Sequence, residues 1–223
     1  MKTFFKIGCG AIVLLLAVAY GFYYYETGGS KPSQSIKFLN TGKDERSVTF
    51  EMVGKDGKLL DGYYANSKVK PNDFKIEEVQ AGNYKIRIWD AADNLVKEMD
   101  FKLTLPDPNK SNYELLRFDL AQDKVFVIVN MNSLYKGNDI AEHMSKAMGT
   151  QRSGLTIAKA YDGQKPFMLD PNITMRNVVD LEDDFPDRVS YGNTVYAIFA
   201  VPRSLPEGQL DANLMEQISK KTE

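Results

Sequence analysis

The sequence predicts a mainly β protein with some α: an N-terminal transmembrane helix, an antiparallel β-sandwich, and an α+β C-terminal half. Three observations carry this expectation. Residues 7–25 form a nineteen-residue run without a charge, residues 35–105 alternate apolar and polar side chains, and two apolar runs, 125–129 and 195–201, follow a proline-rich break at 104–112. Period-two alternation marks strands with one buried and one wet face, whereas continuous apolar runs mark strands covered on both faces.

The head comes first in the chain. Lys2 and Lys6 precede the uncharged run, and Tyr20, Phe22, Tyr23, Tyr24 and Tyr25 gather at its far end. As a helix the run reaches about 28 Å, close to the hydrocarbon thickness of a bilayer. Lysines on the near side and aromatic rings at the far interface orient such a span with its N-terminus in the cytoplasm and residues 26–223 outside. A signal peptide is the alternative, because Ala17-Val18-Ala19 is an A-x-A cleavage site after a short apolar core. That reading makes the body secreted or periplasmic, cut after Ala19. Residues 26–34 are small and polar and are expected to form a linker.

The first half of the body, residues 35–105, reads as strands. Val48, Phe50 and Met52 alternate with Thr49 and Glu51, residues 54–57 (GKDG) make a turn, and residues 58–64 return. Phe74 and Ile76 are expected on a buried face, as are Tyr84, Ile86 and Ile88. After a turn at 90–94, Leu95, Met99, Phe101 and Leu103 are expected to share one face and Glu98, Asp100 and Lys102 the other. The stretch at 79–90, VQAGNYKIRIWD, resembles the strand entry of carboxypeptidase-regulatory or transthyretin-like β-sandwiches, where a turn glycine precedes a tyrosine and an alternating strand. That resemblance covers residues 35–105 and implies a structural or binding module. Gly82 is expected to adopt a backbone conformation closed to other residues, and Tyr84 to bury its ring while bonding through its hydroxyl.

In the second half, residues 113–223, an α+β domain or an extension of the first sheet is expected. Residues 113–119 and 124–131 read as a hairpin, 149–171 as loop-rich, and 138–149 and 209–220 as helices, the first capped by Asn138 and stopped at Gly149.

Chemistry is sparse. The single cysteine, Cys9, lies in the head, which removes thiol catalysis and cysteine-bound metals from the body. The single histidine, His143, is the one candidate general base. Five carboxylates, Asp180, Glu182, Asp183, Asp184 and Asp187, crowd residues 180–187. They are expected to form a solvated loop balanced by Arg188, with a Ca²⁺ site as the alternative. No other cofactor is expected. Tyr63 and Tyr64 are a candidate binding platform for carbohydrate or peptide. Setting Lys2 and Lys6 aside leaves 26 basic against 30 acidic side chains. So balanced a body lacks the cationic surface that nucleic acid requires.

The functional expectation is a membrane-anchored extracytoplasmic binding or structural module, non-catalytic, engaging a protein or envelope partner and the membrane through residues 7–25. Its alternative is a divalent-cation-dependent enzyme or ligand-binding protein using the acidic loop. Oligomeric state is left open. The intact mass of the mature chain discriminates anchor from signal peptide. An anchored chain keeps its full mass, and cleavage after Ala19 removes nineteen residues.

Overall fold

The computed structural model describes residues 33–104, 115–135, 155–174, 177–189, 193–206 and 208–222, leaving aside the side chains of 61–64. The expected span at 7–25, the linker up to residue 32 and the helix at 138–149 lie outside these residues. Among the described residues no helix is long and apolar enough to cross a membrane.

The chain is mainly β, with eleven strands among the described residues. They are β1 (Ser33–Asn40), β2 (Arg46–Val53), β3 (Leu59–Val69), β4 (Asp73–Gln80), β5 (Gly82–Trp89), β6 (Leu95–Leu103), β7 (Leu116–Asp119), β8 (Lys124–Asn130), β9 (Thr156–Asp162), β10 (Asn177–Val179) and β11 (Val195–Pro202). Among the described residues two α-helices, α1 (Pro171–Thr174) and α2 (Leu210–Thr222), and a 3-10 turn at Asn132–Tyr135 accompany them. The strands form three sheets, in the orders β3-β2-β5-β6, β4-β1-β7 and β10-β11-β8-β9.

The side chains set the stacking of these sheets. In β1, Ile36 and Phe38 point into one core with Val48, Phe50, Tyr84, Ile86, Ile88 and Phe118, so the first and second sheets face each other. Leu39, on the opposite face of β1, joins Phe126, Ile128 and Ile198 in another core, which binds the second sheet to the third. The far face of the third sheet presents Val127, Val129, Ala197 and Phe199 to Leu214 and Ile218 of α2. Both apolar runs are therefore covered on both faces, as their composition requires. The middle sheet is shared by two cores.

Several local expectations stand. Val48, Phe50 and Met52 are buried in alternation, and the turn at 54–57 closes with Gly57 N–H donating to Gly54 O over 3.0 Å. Tyr84 is buried and its hydroxyl donates to Gln80 O over 2.7 Å, while burial pushes its phenol up to about 12 against a smaller opposing pull from that bond.

Others are corrected. The sheets are not purely antiparallel, for β1 pairs with β7 and β10 with β11 in parallel. The hairpin expected from 113–119 and 124–131 does not form: β7 extends the second sheet and β8 is central in the third. Loop was expected at 149–171, yet β9 pairs with β8 there. Its side chains are mostly exposed at the sheet edge, which erases the apolar period. β1 begins at Ser33, inside the expected linker.

Two residues leave their expected faces. Between β5 and β6 the register slips, Lys97 lying opposite Ile88 but Leu95 opposite Trp89. The extra residue flips the phase, as a β-bulge does. Leu95 is accordingly exposed, and Lys97 donates to Gln122 Oε1 at 2.6 Å and Gln164 O at 2.9 Å. Ile76 is 52% exposed, because the layer that packs on Phe74 does not reach it. Gly82 has no positive φ. A Cβ there would lie 3.0 Å from Met52 Cε, the far end of a flexible side chain.

Truncating Phe126, fully buried in the third sheet, is expected to cost about 3–5 kcal/mol. Removing Ile157, 43% exposed on β9, should change stability by less than about 0.5 kcal/mol. Urea denaturation of both variants checks the assignment of core and edge.

Candidate functional site

The acidic loop was expected in solvent or around a cation. Its first residue is instead inside the protein. The parallel pairing of β1 and β7 places Lys37 directly opposite Arg117, and both side chains point away from the first core, 2% and 8% exposed. Two like charges opposed on a ladder repel, and burial makes each costlier. Asp180 supplies the counter-charge: its Oδ2 lies 2.8 Å from Arg117 Nη2, 3.2 Å from Arg117 Nε and 3.2 Å from Lys37 Nζ. Glu182 also pairs with Lys37, whose ammonium stands 4.3 Å over the Phe74 ring.

The loop is then bolted in place. Leu181 N–H donates to Asp180 Oδ1 over 2.9 Å, and Asp180 N–H donates to Asp183 Oδ2 over 3.0 Å. From α2, Lys221 Nζ donates to Asp180 O at 3.0 Å and Asp183 O at 2.7 Å. Burial alone pushes the Asp180 carboxyl up, but Arg117, then Lys37 and the Leu181 N–H, together outweigh it and hold the group below its ordinary value. Burial is also what lowers Lys221, against the pull of the loop's acids.

Asp119, next along the same face of β7, is fully buried. It accepts from Thr41 N–H at 3.1 Å, Thr41 Oγ1 at 2.9 Å and Ala121 N–H at 3.3 Å. Burial dominates these bonds and raises its carboxyl.

A cleft of about 290 Å³ opens beside this junction, lined by Leu39, Asn40, Phe74, Lys124, Glu182 and Gln217 among others. Its polar groups are largely engaged. Asn40 Nδ2 donates to Val69 O at 2.9 Å, Gln217 Nε2 to Ala200 O at 3.2 Å, and Lys124 Nζ pairs with Asp123 at 3.0 Å.

The outer face of the first sheet differs along its length. At one end Arg87 bonds Glu98 at 2.6 Å and pairs with Glu51, while Lys85 reaches Glu98 and Asp100 at 3.2 Å each. At the other end a depression of about 770 Å³ is lined by Ser47, Thr49, Asn66, Lys68, Lys75, Trp89 and Asp93. Here Ser47, Asn66 and Lys75 have no side-chain partner among the described residues. Thr49 Oγ1 is buried without a hydrogen bond.

The predicted site residues are thus dispersed. Asp180 and Glu182 meet Lys37, Asp183 turns back onto the Asp180 N–H, and Asp183 and Asp184 both line a surface hollow with Arg188. Among the described residues no three of His, Cys, Asp and Glu are grouped to hold a metal ion. His143 lies outside the described residues. Tyr63 and Tyr64 fall within β3, Tyr64 in register with Glu51, and their side chains lie outside the description. Lys37 and Arg117 were missed by sequence reasoning. The signal available was a lysine and an arginine set among apolar strand neighbours, SIKFL and LLRFD. No protein-family model, curated protein or solved structure matches the chain.

Removing the Arg117 charge alone (Arg117→Met) is expected to cost about 3–5 kcal/mol, and replacing Lys37, Arg117 and Asp180 together by apolar residues far less. Because the folded Asp180 carboxyl is depressed, its contribution is complete above about pH 4 and is lost as pH falls through the folded value. Asp119 acts with the opposite sign, weakening the fold as pH rises from its ordinary value through the raised one. Denaturation across pH should therefore show a shallower acid limb in Asp180→Asn than in the wild type.

Proposed function

We propose that the chain is a membrane-anchored extracytoplasmic binding module, held by residues 7–25 and engaging a protein or envelope partner without catalysis. The uncharged run behind Lys2 and Lys6 supports the anchor and its orientation. The observation that carries the binding role is the division of polar groups in the body. The buried ionisable residues Lys37, Arg117, Asp119 and Asp180 are each bonded to structural partners, whereas uncommitted hydrogen-bonding groups collect on the outer face of the first sheet, around Trp89. The reading also takes in the carboxypeptidase-regulatory or transthyretin-like resemblance of residues 35–105, carried by the stretch at 79–90. That resemblance belongs to the same proposal.

A photo-crosslinker placed at Asn66 in the full chain, in intact cells, should trap one reproducible partner. The same group at Glu216, on the exposed surface of α2, should not. Protease added outside should degrade the body and leave the head in the membrane. A body protected from outside protease removes the topology, and equal or absent capture at both positions removes the binding face.

A further inference from the structure

Resting on that binding role, we propose that the depression around Trp89 is a saccharide site that takes a neutral pyranose chain. Its volume, about 770 Å³, lies in the range of small-molecule sites. What decides the ligand class is the kind of group left unspent. Ser47 offers a hydroxyl that both donates and accepts, Asn66 an amide that does the same, and Lys75 a pure donor.

A pyranose presents the matching surface: a rim of hydroxyls that donate and accept, and a flat C–H face that packs on an indole. Thr49 Oγ1, in the same lining, is buried and without a hydrogen bond.

Other ligand classes fit less well. Lys68 already pairs with Glu45 at 3.3 Å, and the lining carries the acid Asp93 as well as Lys75. With its charges balanced, the hollow has no excess to attract an anion or a nucleic acid. Trp89 is the single apolar residue in this lining, one ring among polar groups. The neighbouring ladder of Arg87, Glu51, Glu98, Lys85 and Asp100 is closed on itself, which confines the site to one end of the sheet.

Trp89 is the only tryptophan in the chain, so its emission reports this site alone. The full chain in detergent micelles is titrated with cello-, malto-, manno- and chito-oligosaccharides and with the parent monosaccharides. At least one oligomer series should shift the emission saturably and bind more tightly with length. Ser47→Ala and Asn66→Ala should each weaken that binding about fivefold, the effect of one lost neutral hydrogen bond. Lys85→Gln, in the closed ladder, should leave it unchanged. Circular dichroism of the variants separates lost binding from lost fold. No response to any series up to millimolar concentration overturns the proposal, as does undiminished, wild-type affinity in both Ser47→Ala and Asn66→Ala. A protein trapped at Asn66 without any saccharide response removes the saccharide and leaves the binding role standing.

Discussion

Two cations side by side inside a protein need an anion, and the body is organised around that need. The register of β1 against β7 sets Lys37 opposite Arg117 between two apolar cores. Asp180 meets both, and the loop that carries it is pinned in turn by Lys221 of α2. One electrostatic constraint therefore links the second sheet, the acidic loop and the C-terminal helix. An ion pair so buried adds little net stability compared with well-packed apolar residues, but breaking it is expensive. Its consequence is specificity of arrangement: with Lys37 and Arg117 buried as neighbours, the acidic loop has one place to go.

The layering follows from the same strands. Ile36 and Phe38 face the first sheet, whereas Lys37 and Leu39 face the third. A strand that serves two cores cannot show simple amphipathic alternation, and β1 and β7 do not. The third sheet is in the same position, between the second sheet and α2, and its central strands β8 and β11 carry apolar side chains on both faces. Gly163 marks how tightly the turn after β9 closes on this sheet, for a Cβ there would meet Lys124 O and Phe126 Cε2 at 2.7 Å.

Polarity on the first sheet's outer face is partitioned by the same logic of pairing. Where acids and bases alternate across strands, as at Arg87 and Lys85, the groups saturate one another. Where hydroxyls and an amide stand beside Trp89, they have no counterparts among the described residues. Cross-strand complementarity leaves one end self-sufficient and the other with unpaired polar groups.

The sequence by itself determined what is local. Alternation at Val48, Phe50 and Met52 and at Tyr84, Ile86 and Ile88 specified which side chains are buried, the turn at 54–57 followed from its glycines, and the two apolar runs announced strands covered twice. The tertiary structure alone decided what depends on distant pairing. Leu95 lost its buried place to a bulge that its neighbours do not encode, and β7 left the hairpin suggested by its nearest strand to lie parallel to β1. The carboxylates at 180–187 read as a solvated loop because their counter-ions, Lys37 and Arg117, are far away in the chain and adjacent only after folding. Periodicity belongs to a segment and is written in it. A charge partner belongs to the packing of sheets, where burial makes the nearest opposite charge, however remote in sequence, the one that counts.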